Sequence, residues 1–170
     1  MLYHASKEKG LKVLRPNVST HGKPYVYAIS NMVTAICFGA PKDDFDLLMD
    51  EIDGVPHIYE CYPDAMKKIY SNKGCSLYEV SSNGFEAGKT GWDTEYVSDK
   101  PALVLNEVCI SDIYKYLNEM ANMGKCVVHR YSENKAYQAW LHDELSERIK
   151  DFGLSEDDIR NDSRLCSIFK

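Results

Sequence analysis

Three short segments carry the residues best suited to chemistry. Leu2-Tyr3-His4-Ala5-Ser6 sets an imidazole among small neighbours. Tyr25-Val26-Tyr27-Ala28-Ile29-Ser30 sets an aromatic ring just ahead of a helix. Leu103-Val104-Leu105-Asn106-Glu107-Val108 sets one carboxylate in an apolar strand. Glu107 is the most telling of these. A carboxylate in apolar surroundings costs free energy unless it is solvated or partnered. Strict alternation places Leu103, Leu105 and Glu107 on one face and Val104, Asn106 and Val108 on the other. That company predicts an unusual environment and a raised carboxyl pKa. Each residue also has a plainer reading. His4 would be a satisfied strand histidine, Tyr27 one core tyrosine among twelve, and Glu107 the outward face of an antiparallel strand.

The elements that must position these residues follow from pattern and punctuation. Strands are expected at Leu2 to Ala5, Leu11 to Leu14, Tyr25 to Ile29, His57 to Cys61, Ser76 to Ser81, Glu95 to Ser98 and Ala102 to Ile110. His21-Gly22-Lys23-Pro24 reads as a turn, and the three glycines of Asn83 to Trp92 as a loop. Ser30 is expected to cap a helix from Asn31 to Phe38, ended by Gly39 and Pro41. Asp43 to Met49 and Pro63 to Tyr70 read as short helices. Ser111 would cap a helix to about Met123, and Lys125 to Tyr131 reads as a strand or extended connection. Ser132 would open a longer helix to about Asp151, and Ser155-Glu156-Asp157-Asp158 resembles a capping box. Strands dominate up to Ile110 and helices after it, the pattern of an α+β protein rather than a βαβ repeat.

Composition bounds the function. The chain has 170 residues, 44% hydrophobic and 27% charged, which is ordinary globular composition and predicts a single domain over 1–170. A net charge of -6 argues against a nucleic-acid binder as the first reading. No apolar run suits a signal peptide or a membrane span, so a cytoplasmic location and no membrane contact are expected. The six cysteines are expected to be reduced thiols. They form no CxxC, and the five histidines form no HExxH, so no metal is expected. Ala87-Gly88-Lys89-Thr90 fails as a phosphate-binding loop, because the first required glycine would be at position 83, which is Asn83.

The three segments, in their order and local context, resemble the His-Tyr-Glu branch of the ADP-ribosyltransferase superfamily, which includes diphtheria-toxin-like enzymes and poly-ADP-ribose polymerases. His4-Ala5-Ser6 is similar to the family's opening His-Gly-Ser strand, with Ala5 in place of the usual glycine. Tyr27-Ala28 resembles the aromatic strand that leads into a helix. Phe38 falls where a second aromatic, usually tyrosine, stacks on nicotinamide. Asn106-Glu107-Val108 resembles the strand that carries the catalytic glutamate. The resemblance touches about a fifth of the chain, and nothing aligns from Pro41 to Trp92. It implies a split β-sheet core over 1–124, a mainly helical extension over 125–170, and NAD as substrate. It further implies that Glu107 is catalytic, that His4 binds a ribose hydroxyl and assists catalysis, and that Ala5 grips the carboxamide through its backbone. Tyr27 and Phe38 would sandwich the nicotinamide, with Ser30 or Thr34 reaching the carboxamide. Cleavage of the nicotinamide–ribose bond passes through an oxocarbenium-like state that a carboxylate stabilises.

The acceptor is left open as protein, nucleic acid or small molecule. The alternative is a catalytically inactive module of the same fold that binds a nucleotide or a protein partner. A phosphotransferase acting on an RNA 2′-phosphate ranks below both, because the chain has only five arginines, mostly C-terminal. The stripe Ala136, Tyr137, Trp140, Leu141, Leu145, Ile149 and Phe152 reads as core packing, and as a partner or dimer surface if exposed.

Overall fold

The computed structural model describes residues 1–18 and 22–169. In chain order the elements are β1 (Leu2–Ser6), β2 (Val13–Leu14), β3 (Asn17–Val18), β4 (Pro24–Ile29), α1 (Met32–Ile36), β5 (Leu47–Ile52) and β6 (Val55–Glu60). There follow α2 (Ala65–Tyr70), β7 (Cys75–Val80), β8 (Glu86–Ala87), β9 (Glu95–Ser98), β10 (Ala102–Ile110), α3 (Ile113–Asn122), β11 (Val127–His129), α4 (Lys135–Phe152), α5 (Glu156–Asn161) and α6 (Ser163–Ile168). The α+β class holds.

The larger sheet is antiparallel, ordered β2-β10-β7-β1-β4-β9-β8, with β3 beside β4. One face carries apolar residues that pack under the helices. Tyr3, Ala5, Ile29, Leu77 and Ile110 join Val33 and Ile36 of α1, Met66 and Ile69 of α2, and Ile113 and Leu117 of α3 in one cluster. The smaller sheet, ordered β11-β6-β5, closes the same cluster through Leu47 and Ile58. Its other face, with Leu48 and Tyr59, is covered by Leu141, Leu145 and Ile149 of α4 and Leu165 of α6. Of the α4 stripe, Leu141, Leu145 and Ile149 are therefore covered by the chain itself, Tyr137 and Trp140 are half-buried, and Ala136 and Phe152 stay exposed. Among the described residues no helix is long and apolar enough to cross a membrane, and all six thiols are free.

Several boundaries differ from expectation. Asp43 to Met49 is not a helix: Leu47–Ile52 is a strand that pairs residue by residue with β6. The turn between them is Asp53-Gly54, both at positive φ (52° and 75°), and this dipeptide is the strongest short-range hairpin signal. α1 is shorter than Asn31 to Phe38, and its cap is Asn31, whose side chain accepts from Val33 N–H. Likewise Asp112 rather than Ser111 caps α3, and Asn134 rather than Ser132 caps α4. Only Val13–Leu14 of Leu11 to Leu14 is strand. The expected turn at 21–24 begins at His21, outside the described residues. The capping box at Ser155 is present. The C-terminal region also contributes β11, which runs parallel to β6.

Two interior contacts set the tolerances. Glu60 is only 2% exposed, yet its carboxylate accepts from Met66 N–H (3.0 Å), Arg130 Nη1 (3.1 Å) and Tyr131 N–H (3.1 Å). It ties β6 to α2 and to the approach to α4. At Gly74, a Cβ would lie 2.6 Å from the Ile110 carbonyl oxygen. That atom is backbone and cannot swing aside. Gly74→Ala is therefore expected to cost about 1–3 kcal/mol, read as a lower urea midpoint at unchanged slope.

Candidate functional site

The two antiparallel ladders of β7 bring the first and third sequence segments together. His4 is the cross-strand partner of Tyr78, and Tyr78 is the partner of Glu107. Cross-strand partners share a face, so His4, Tyr78 and Glu107 form one row across the sheet. The next row is Ser6, Ser76 and Cys109. Both rows lie on the face opposite α1 to α3. Beyond them that face turns apolar at Leu2, Val26, Ala28 and Val80.

Glu107 reaches this face because of a bulge. The register of β10 against β7 shifts between Val104 and Asn106. The extra residue puts Val104 and Glu107 on one face, and the alternation expected from sequence fails there. Leu103 and Leu105 are left 70% and 57% exposed. Bulges re-aim side chains in this way beside functional sites.

Among the described residues, all the hydrogen bonds to the Glu107 carboxylate fall on one oxygen. Oε1 accepts from Gly10 N–H (2.9 Å), Ser76 Oγ (2.7 Å) and Tyr78 OH (3.1 Å). The Cys109 thiol lies 3.9 Å away. These donors lower the carboxyl pKa, Gly10 most, then Ser76 and Tyr78, with Lys12 adding a weaker charge effect. The raised pKa expected from sequence is thus corrected. Donors that favour the charged form outweigh the loss of water, and Glu107 is an anion at neutral pH. Gly10 delivers its N–H from a positive φ of 72°, a conformation that L side chains rarely adopt.

His4 lies deeper. Its Nδ1 is 2.8 Å from the Tyr27 carbonyl oxygen. A carbonyl only accepts, so Nδ1 carries the proton and Nε2 keeps its lone pair. Burial lowers the His4 pKa from 6.5, opposed by the Tyr27 hydrogen bond. The unfolded chain therefore binds more protons than the folded one just below pH 6.5, and stability falls as pH drops through that window. His4→Asn is expected to flatten that part of the stability profile. Equal slopes for wild type and variant below pH 6.5 would contradict it.

The second segment meets His4 through its backbone, not its ring. Val26 and Ala28 pack on the site face, whereas Ile29 belongs to the helix-side cluster. By the same alternation the Tyr27 ring lies on the helix side. There its hydroxyl donates to the Lys23 carbonyl (3.2 Å) and its ring meets Tyr25 edge-on at 6.0 Å. Phe38, just past α1, is also on that side, against Trp92 (5.8 Å) and under Lys42 Nζ (4.7 Å). Ser30 bonds the Thr94 carbonyl through its N–H (3.1 Å), and Thr34 is buried in α1. β1 registers with β4 at Tyr3↔Ile29 alone, against five pairs with β7. The β4-facing backbone edge of Ala5 and Ser6 is therefore outside any ladder.

Sequence reasoning missed Gly10, Ser76, Tyr78 and Trp92. Ser76 and Tyr78 had a signal: polar groups two apart in a strand whose residues are otherwise mostly apolar. Gly10 and Trp92 had none, since their roles depend on loops folding back. Tyr78 is fully buried beneath the 8–11 loop, its hydroxyl 2.7 Å from the Glu8 carbonyl oxygen and 3.3 Å from Leu11 N. Of the two cavities described, one is lined by Lys7, Gly39, Ala40, Pro41, Lys73 and Gly74, the other mainly by Tyr25, Glu86, Lys89 and Val97. Neither is lined by His4 or Glu107. Comparisons with protein-family models, curated proteins and solved structures found no match.

Proposed function

We propose that this chain is an ADP-ribosyltransferase that cleaves NAD, releases nicotinamide and passes ADP-ribose to an acceptor, on the split-sheet fold of that superfamily. One observation carries the reading. Glu107 is an oriented carboxylate, gripped among the described residues through Oε1, in one row with a neutral His4. The uncommitted Oε2 suits a developing positive charge at the ribose carbon. His4 Nε2 suits a ribose hydroxyl as donor. The open β1 edge at Ala5 offers backbone groups to a carboxamide, whereas the Tyr27 and Phe38 rings lie across the sheet from the row, so the sandwich of the pyridine ring expected of them is not part of this reading. The expected test is incubation with labelled NAD, following nicotinamide release and, separately, binding by thermal shift. Binding with release supports the reading. No binding and no release sinks it.

A second reading has an observation of its own. The 8–11 loop covers Tyr78 and donates to Glu107, and neither cavity reaches the row. This favours an inactive module that binds a nucleotide or protein. It predicts NAD binding without release, or no NAD binding at all.

A further inference from the structure

The smaller sheet brings together two histidines that are 72 positions apart. His57 lies on β6 and His129 on β11, and the parallel register sets His129 opposite Tyr59. Both imidazoles point to the face covered by α4. The Tyr59 ring stacks on His129 at 4.1 Å with 6° between planes, and Trp140 of α4 backs Tyr59 at 4.7 Å. The rings are therefore held by packing rather than left to swing. Nε2 of His129 and Nδ1 of His57 are 3.0 Å apart, with the Tyr59 hydroxyl 3.4 Å from the same Nδ1. Asp50, on β5, is the cross-strand partner of His57. Its Oδ1 accepts from Glu51 N–H, which leaves Oδ2 for another partner.

We infer that His57 and His129 form a two-imidazole binding site for a divalent ion of the copper(II) or nickel(II) type. The spacing selects the ion. With metal–nitrogen bonds of about 2.1 Å, two nitrogens 3.0 Å apart subtend about 90° at a shared ion. That is the cis angle of a square-planar or tetragonal site, the preference of copper(II) and nickel(II), and is narrower than the tetrahedral angle of zinc. Among the described residues no third histidine, cysteine or carboxylate completes a closed group, so water fills the remaining positions, with Asp50 as the nearest acidic neighbour on the sheet. Binding needs both facing lone pairs. The proton shared by the two nitrogens moves to the far nitrogen of its own ring, and no net charge is lost.

The test titrates the full chain with copper(II) alone and reads the nitrogen hyperfine pattern by electron paramagnetic resonance. One equivalent bound through two imidazole nitrogens is expected. It should be lost in His57→Asn and in His129→Asn, and kept in His142→Asn, whose ring lies elsewhere on α4 against Phe169. Fewer than two nitrogens in the wild-type spectrum would overturn the site whether or not the variants fold. Unchanged binding in either β-strand variant would also overturn it, leaving a hydrogen-bonded histidine pair. Nickel(II) should raise the wild-type melting temperature by mass action, and no rise at saturation counts against the site.

Discussion

Glu107→Gln is expected to keep NAD binding while cutting nicotinamide release about 100- to 1,000-fold, the usual loss when one pre-aimed electrostatic group leaves an active site. The geometry makes this change unusually clean. Glutamine keeps a carbonyl oxygen where Oε1 sits, so Gly10, Ser76 and Tyr78 retain their acceptor. What disappears is the negative charge at the other oxygen. A fold defect is therefore not expected, and a melting temperature close to wild type checks that. Glu107→Ala differs, since Gly10 N–H and Ser76 Oγ lose their acceptor while Tyr78 keeps the Glu8 carbonyl, and it should cost stability as well. If Glu107→Gln released nicotinamide at the wild-type rate, Glu107 would not be catalytic, and the row with His4 would be a structural polar cluster.

Glu60→Ala is expected to destabilise the protein by about 3 kcal/mol. Breaking a buried ion pair by removing one partner costs about 3–5 kcal/mol. The low end applies because the Arg130 side chain is 43% exposed, so its charge partly returns to water. The remaining cost comes from Met66 N–H and Tyr131 N–H, which lose their acceptors. At this chain length about 3 kcal/mol corresponds to a melting temperature lower by about 6–12 °C. Glu60→Gln should fall between the two, since it keeps acceptor capacity and loses the charge. A shift under about 1 °C for Glu60→Ala would show that water replaces these contacts without penalty. The site face should be unaffected, because Glu60 belongs to the other sheet.

β10 shows how far reading the chain could go. Its limits, Ala102 to Ile110, follow from an unbroken run of strand formers, and the structure has the same bounds. Which face Glu107 occupies did not follow, because one extra residue between Val104 and Asn106 reverses the alternation, and no local residue announces it. The Asp53-Gly54 dipeptide signals a hairpin that competes with the helix expected at 43–49. The charges there suit a helix terminus, while the deciding term is the pairing of β5 with β6. The caps moved by one or two residues, since Ser, Asn and Asp compete for the same role and the local turn chooses among them.

The chain's own pattern determined the α+β class, most strands of the large sheet, and the candidacy of His4 and Glu107, because alternation, punctuation and a lone carboxylate in an apolar run are local properties. Tertiary structure alone decided which groups meet. Tyr78 lies between His4 and Glu107 only because β7 pairs with both β1 and β10. Gly10 reaches a carboxylate 97 positions away because its loop folds over the sheet. The Tyr27 ring faces away from His4 while its carbonyl reaches it. Register and loop closure are free-energy minima of the whole chain, and neither is written in the residues on either side of the contact.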